Sequence, residues 1–248
     1  METTTSRRKF LQSSSALLLG AAASTSQVSR AQQHVANPSE QDYWALVRSK
    51  FAFSEASVPM NAANLCPSFR AVAETVEMLT YDIDRDCSFN NRAKFEGLLE
   101  RSRYLVAEQL NVSADEIALV RNTSEANNII NNGIRLNEGD EVLLWDQNHP
   151  TNNVAWDVRA ARFGLVVNKV SSPDKPRSKQ ELIDAFTSQF TSRTQVLSIT
   201  HVSNLSGIKL PIKEIVEAAH AKNIYVHVDG AQAWGAMSLD LKDLDVDS

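Results

Sequence analysis

Four short stretches of this sequence end an apolar run on residues able to do chemistry, and the most pointed is His227-Val228-Asp229-Gly230-Ala231-Gln232. The rhythm of Ile224, Val226 and Val228 reads as a buried strand that hands one carboxylate, Asp229, to a turn bearing the amide of Gln232. A carboxylate at the end of a buried strand is costly unless something positive or hydrogen-bonding meets it. Thr123 and Ser124 follow another apolar run, and Glu125 opens a helical pattern behind them. Hydroxyls and free N–H groups at a helix start form an anion site, most often for phosphate, although the same residue types also serve as plain caps. His149, between Asn148 and Pro150, stands where a ring can stack on a planar ligand or pass a proton, and equally where an ordinary loop histidine stands. Asn204 could hydrogen-bond a ligand at the same level or simply shape a turn.

These turns need a scaffold that brings them to one edge. Helical spacing predicts helices starting near Ser39, over 68–80 and over 92–110, the last with Phe95, Leu98, Leu99, Leu105 and Val106 on one face. From residue 116 onward the pattern alternates. Strands are predicted at Glu116–Arg121, Asp140–Trp145, Leu165–Val170, Thr194–Thr200 and Asn223–Val228, with amphipathic helices between them. Continuous apolar strands separated by helices imply an α/β domain: a mostly parallel sheet with helices on both faces. In such sheets ligands sit beyond the carboxyl ends of the strands, where all four stretches lie. The 248 residues, 43% hydrophobic and 22% charged, are enough for one large domain with part of a second. A net charge of −5 offers no basic stripe, so no nucleic-acid partner is expected. With eight glycines and no Gly-x-Gly, dinucleotide and Walker fingerprints are absent. Cys66 and Cys87 lack metal or redox spacing and could be free or paired.

Two chemistries could meet Asp229. A metal would need clustered ligands, and His149, His201, His227 and Asp229 match no ligand spacing, so no metal is expected. A protonated ring nitrogen would meet the acid and give every other turn a role. Anion cradle, stacking ring, amide and carboxylate are together the contacts of pyridoxal 5'-phosphate. In this order, "RNTSEANN", "NHPTNNVAW", "THVSNLSGIKLPIKEI" and "HVDGAQAWG" resemble the class V aminotransferase family, which includes cysteine desulfurases and isopenicillin N epimerase-like enzymes. The resemblance covers roughly Met60 to the C-terminus and implies the large domain of a fold-type I pyridoxal phosphate enzyme, incomplete at its C-terminal side. It implies that Thr123 and Ser124 hold the cofactor phosphate and His149 stacks on the ring. Asp229 would pair with the ring nitrogen, and Asn204 and Gln232 would reach the phenolic oxygen. Residues 61–64, "NAAN", resemble the family segment that approaches the substrate, a small amino acid, and a homodimer is implied for a complete chain.

The resemblance stops short at one point. The family's Schiff-base lysine follows the aspartate by roughly two dozen residues, usually behind a Ser/His pair. Here only Lys242 follows, in acidic surroundings with no histidine before it, and it reads as a surface lysine. The expectation is an N-terminal portion, inactive alone and poorly soluble without a partner, that lacks its catalytic lysine. A non-catalytic protein that keeps the fold for binding is the alternative. At the other end, Arg7-Arg8-Lys9-Phe10-Leu11 precedes a short alanine-rich apolar run, which resembles a twin-arginine export signal over 1–31 and implies a periplasmic or secreted destination. That run is too short for a stable membrane span. Residues 32–67 would then form an N-terminal segment belonging to a small domain, and 68–248 the partial cofactor-binding domain.

Overall fold

Strands form where the apolar runs are continuous. The computed structural model describes residues 40–54, 56–58, 60 and 65–248, so the signal-like segment 1–31 and the segment 61–64 lie outside the described residues. The chain divides between Glu96 and Gly97 into two compact units. The first contains the helices Glu40–Ser49 and Arg70–Arg85, and the helix Phe89–Leu110 begins in it. Within this unit Phe51 and Phe69 pack with ring centroids 4.6 Å apart, and Asp82 accepts from Asn91 Nδ2 at 3.2 Å and pairs with Lys94. Cys66 and Cys87 are both free and exposed. No helix among the described residues is long and apolar enough to cross a membrane.

The second unit carries the sheet. Its strands are β1 (Glu141–Trp145), β2 (Val166–Val170), β3 (Thr194–Thr200) and β4 (Tyr225–Asp229), in the order β2-β1-β3-β4 and parallel throughout. Helices cover both faces, as expected for strands without a polar side. On one face Leu182 and Phe186 of the Lys179–Thr187 helix and Ile212, Ile215 and Val216 of the Ile212–His220 helix close over Leu143, Leu197, Ile199 and Val226. On the other, Trp156 of the Pro150–Phe163 helix covers Val142, Leu144 and Val196. Trp145 is fully buried and keeps its indole N–H satisfied by donating to Ser172 Oγ at 3.1 Å. Gly164 ends the Pro150–Phe163 helix at φ 70°, a conformation suited to glycine, and a Cβ there would fall 2.8 Å from Glu138 Cγ.

One local expectation fails. Glu116–Arg121 is not a strand. Ala114–Glu116 is a single 3-10 turn whose Ser113 N–H donates to Glu116 Oε2 at 2.8 Å, and residues 117–120 pair with no strand among the described residues. Leu119 and Val120 remain 42% and 40% exposed, because an extended run without a ladder partner has nothing to pack it. Leu241–Leu244 forms a surface helical turn capped by Asp240, whose side chain accepts from Asp243 N–H.

The helix Thr123–Gly133 is fastened by one cation. Arg159, 8% exposed, reaches from the Pro150–Phe163 helix and donates to the carbonyls of Asn131 and Ile134, at the C-terminal end of the Thr123–Gly133 helix. A guanidinium suits this place, since the last carbonyls of a helix lack partners and carry the negative end of its dipole. Burial holds the Arg159 pKa below its ordinary value, and the stem also lies against Trp156, 5.5 Å from the ring centroid. Arg159→Met keeps the stem and removes the donors. It is expected to lower the unfolding free energy by about 2–3 kcal/mol, read from urea denaturation, and an unchanged midpoint would show that water serves those carbonyls.

Candidate active site

The order β2-β1-β3-β4 reverses direction between β1 and β3, because the chain leaves β1 for β2 on one side and later leaves β3 for β4 on the other. The loops after β1 and β3 therefore diverge, opening a crevice at the carboxyl edge of the sheet. Asn148 spans the gap beneath it. Its Nδ2 donates to the Ser198 carbonyl at 2.9 Å and its Oδ1 accepts from Thr200 N–H at 2.8 Å, so one side chain continues the β1–β3 ladder after β1 has ended. His149 is thereby delivered to the rim, exposed, as the N-cap of the Pro150–Phe163 helix. Its Nδ1 accepts from Thr151 N–H at 3.3 Å and lies 2.8 Å from Thr151 Oγ1, which leaves Nε2 as the ring's outward N–H.

Thr123 and Ser124 lie in the first turn of their helix, but neither is its cap. That role falls to Asn122, whose side chain accepts from Glu125 N–H at 2.9 Å. Both hydroxyls are thus released from capping. Ser124 Oγ donates to Thr151 Oγ1 at 3.4 Å, which ties the start of this helix to the start of the next and to His149. Thr151 was not foreseen as a site residue; its place one position after Pro150, in the first turn after a capping histidine, was the available signal.

Asp229 ends β4 with 3% of its surface exposed. Its Oδ2 accepts from Asn127 Nδ2 at 2.9 Å and its Oδ1 from Ala231 N–H at 3.0 Å, and no cation pairs with it among the described residues. Asn127 belongs to the Thr123–Gly133 helix, one turn past Thr123 and Ser124, so the acid and the helix start face one another across a single turn. Gln232 is half-buried in the turn beyond Asp229. Asn204 lies exposed on the loop after β3 and makes no side-chain hydrogen bond among the described residues. That loop is shaped by Ser203 Oγ, which accepts from Leu205 N–H and Ser206 N–H, and Ser206 Oγ donates to Gln147 Oε1 across the crevice. Lys242 is exposed on the Leu241–Leu244 turn.

Sequence reasoning missed a layer of buried amides under these residues. Asn131 Nδ2 donates to Asn152 Oδ1 at 3.0 Å, and Asn152 Nδ2 donates to Ser198 Oγ at 3.1 Å, all three residues being fully buried. In "SEANNIINNG" only spacing separates the roles. Asn127 and Asn131, four apart, turn inward, whereas Asn128 and Asn132 are exposed and bond back to Ser124 and Asn128 carbonyls. The histidines divide by face. His227 shares the Asp229 side of β4, whereas His201 lines a cleft with Leu182, Lys209 and Leu210. Among the described residues no group of three or more His, Cys, Asp or Glu side chains is placed to hold a metal ion.

With the geometry in hand, the comparison with known proteins is decisive at the family level. Residues 85–248 match the family described as aminotransferase class-V, well over half of the chain. The chain belongs to that family. It is 30% identical to the isopenicillin N epimerase of Amycolatopsis lactamdurans over 207 residues, which are 82% of this chain and 52% of that protein. It is 32% identical to a cysteine desulfurase of Shigella sonnei over 157 residues, 62% of this chain and 37% of that protein. A solved mutant of C-DES with glycine covalently linked to its PLP cofactor superposes with a TM-score of 0.70 at 22% identity, covering 85% of this chain and 54% of that one. This likeness establishes the shared fold, the fold-type I arrangement expected from the motifs. The class-V chain thus spans about half the length, or less, of the relatives it matches.

Two buried histidines make the stability of the unit pH-dependent. Burial pushes His227 from an ordinary 6.5 down to about 4, outweighing the nearby negative charge of Asp229 and the backbone of Ser248, which push it up. His201 is likewise pushed to about 4, first by burial and then by the positive charge of Lys209. Between about pH 6.5 and 4 the unfolded chain binds protons that the folded chain refuses, so stability is full above 6.5 and is lost as the pH falls through that window. The unfolding free energy is expected to drop by up to ~1.4 kcal/mol per pH unit for each histidine. Denaturation curves at pH 7 and pH 5 measure this. Equal stabilities at the two values would contradict it, and His201→Gln should remove one of the two contributions.

Proposed function

We propose that this chain is the pyridoxal phosphate-binding part of a class-V enzyme that acts on a small amino acid by transamination, epimerisation or C–S cleavage. The observation that carries the reading is Asp229, a buried carboxylate fixed by two N–H donors and left without a cation among the described residues. Such a group is stable when a positive ligand atom meets it, and a protonated pyridine nitrogen is one. The residues around it fit the rest of that cofactor. Thr123 and Ser124, free of capping duty at a helix start, offer hydroxyls and backbone N–H groups to its phosphate. His149, held by Thr151, would stack on the cofactor ring, and Asn204 and Gln232 would reach its phenolic oxygen. When bound, the cofactor supplies an electrophilic aldehyde and an electron-accepting ring that together stabilise negative charge at an amino acid's α-carbon. Asp229 would hold the ring nitrogen in its protonated form. His149, with its Nδ1 accepting from Thr151 N–H, keeps its hydrogen on Nε2. Relatives named as an epimerase and as cysteine desulfurases support the substrate class.

Fluorescence titration of the chain with pyridoxal 5'-phosphate and with pyridoxal, which lacks the phosphate, tests this assignment. Joint Thr123→Ala and Ser124→Ala substitution is expected to weaken the phosphorylated compound about tenfold and leave pyridoxal unchanged, whereas Asp229→Ala weakens both. Undiminished binding of either compound by Asp229→Ala would remove the carboxylate from the site.

We further propose export through the twin-arginine route, supported by Arg7, Arg8, Phe10 and Leu11 ahead of the weak apolar run. A reporter placed behind residues 1–31 should reach the periplasm and remain in the cytoplasm when both arginines are replaced by lysine. Export of the lysine variant would show that the pair is not read.

A further inference from the structure

Behind Asp229 runs a line of buried polar groups that the cofactor contacts do not use. Asn127 Nδ2 donates to Asp229 Oδ2 at 2.9 Å; Asn127 Oδ1 lies 3.0 Å from His227 Nε2; His227 Nδ1 lies 2.9 Å from Ser248 Oγ. Asn127 and His227 are 2% and 4% exposed, so water cannot replace a lost partner cheaply. The direction of every bond follows from the carboxylate. Asp229 uses both oxygens as acceptors, taking Ala231 N–H on the other one, so Asn127 must present its NH2 to the acid and its carbonyl oxygen to the ring. A carbonyl oxygen only accepts. His227 must therefore carry its hydrogen on Nε2, and a neutral ring then accepts at Nδ1 from the Ser248 hydroxyl.

We propose that Asn127 and His227 are positioning residues for Asp229: a one-way line of donors, from Ser248 through His227 and Asn127, fixes the carboxylate on the bearing that a cationic ring nitrogen requires. This rests on the cofactor reading above, and it adds two residues that bear on cofactor affinity without touching the cofactor. The line has a second consequence. Burial pushes His227 down to about 4 and no cation pairs with Asp229 among the described residues, so the ligand's nitrogen would meet the carboxylate without a competitor there. Position 127 accordingly requires a side chain that donates on one side and accepts on the other. An aspartate there would set two carboxylates against each other.

The test compares pyridoxal 5'-phosphate with its 1-deaza analogue, which keeps the aldehyde and phosphate but has carbon in place of the ring nitrogen. Both are titrated by fluorescence into the full chain and its variants, each checked for folding by circular dichroism. Asn127→Leu and His227→Leu are expected to weaken the natural cofactor about tenfold and the analogue by less than about twofold. His227→Gln, whose amide nitrogen can stand in for Nε2 as a donor, is expected to restore most of the affinity. Equal weakening of both compounds, or a His227→Gln variant that folds and binds no better than His227→Leu, would overturn the inference while leaving the cofactor reading intact. A wild-type chain that binds the two compounds equally would defeat the Asp229–nitrogen pairing, and this inference with it. Nitrogen-15 NMR of the cofactor-free chain gives an independent readout: His227 should show a single Nε2–H tautomer, and an Nδ1–H tautomer would refute the line of donors.

Discussion

Everything at the carboxyl edge of this sheet answers to the cost of keeping the Asp229 carboxylate out of water. A carboxyl group at 3% exposure is costly unless donors meet it, and the surrounding chain supplies two. One donor is the backbone of the following turn; the other is an amide from a helix 102 positions earlier in the sequence. That second donor obliges the Thr123–Gly133 helix to dock at one height and one rotation. Docking at that height places the helix start, with its unsatisfied N–H groups, at the mouth of the crevice. The acid and the anion cradle are in this sense a single construction, set apart by about one turn of helix.

The same constraint passes down through the other buried amides. Asn131 and Asn152 join the two helices of one face to Ser198 of β3, and Arg159 closes the far end of the first helix. Polar groups in a core stabilise little on balance, yet each becomes costly when one partner is missing, so a linked set of them penalises any displaced arrangement. The opposite face of the sheet is packed mainly by Leu, Ile, Val, Phe and Trp side chains. One face is thus largely apolar, whereas the other sets a chain of linked amides beside the apolar cluster under Trp156, and the candidate site lies on the second.

How much of this was legible beforehand depended on whether the signal was local. Strands β1 to β4 and the helices between them follow from runs of apolar residues and their periods, which are properties of neighbouring positions. Asp229 and His149 were legible as candidates because each follows an apolar run at a strand end, and Thr123 and Ser124 because they follow an apolar run and open a helix. The cap at Asn122 was readable too, from its place three residues before Glu125, but the adjacent hydroxyls drew the assignment away from it. Asn127, Asn148 and Asn152 were not readable, because an asparagine in sequence looks the same whether it faces solvent or a partner 50 or 100 residues distant. The stretch Glu116–Arg121 had strand composition, but pairing is a property of two segments, and a single run does not reveal whether the second is there.

The amide layer bears on how the sheet assembles. Along β3 the side chains of Leu197 and Ile199 enter the apolar core, while Ser198 meets Asn152 on the opposite side. Asn148 then grips the β3 backbone at both Ser198 and Thr200. A slip of one residue between β1 and β3 would turn Leu197 or Ile199 toward the asparagines and Ser198 toward Phe186. Hydrophobic collapse alone discriminates poorly between such neighbouring alignments, since strands of this kind are apolar along their length. The asparagines therefore tie the 142–144 and 196–198 stretches of the central pair to one alignment, at the point where the apolar side chains alone would accept its neighbours.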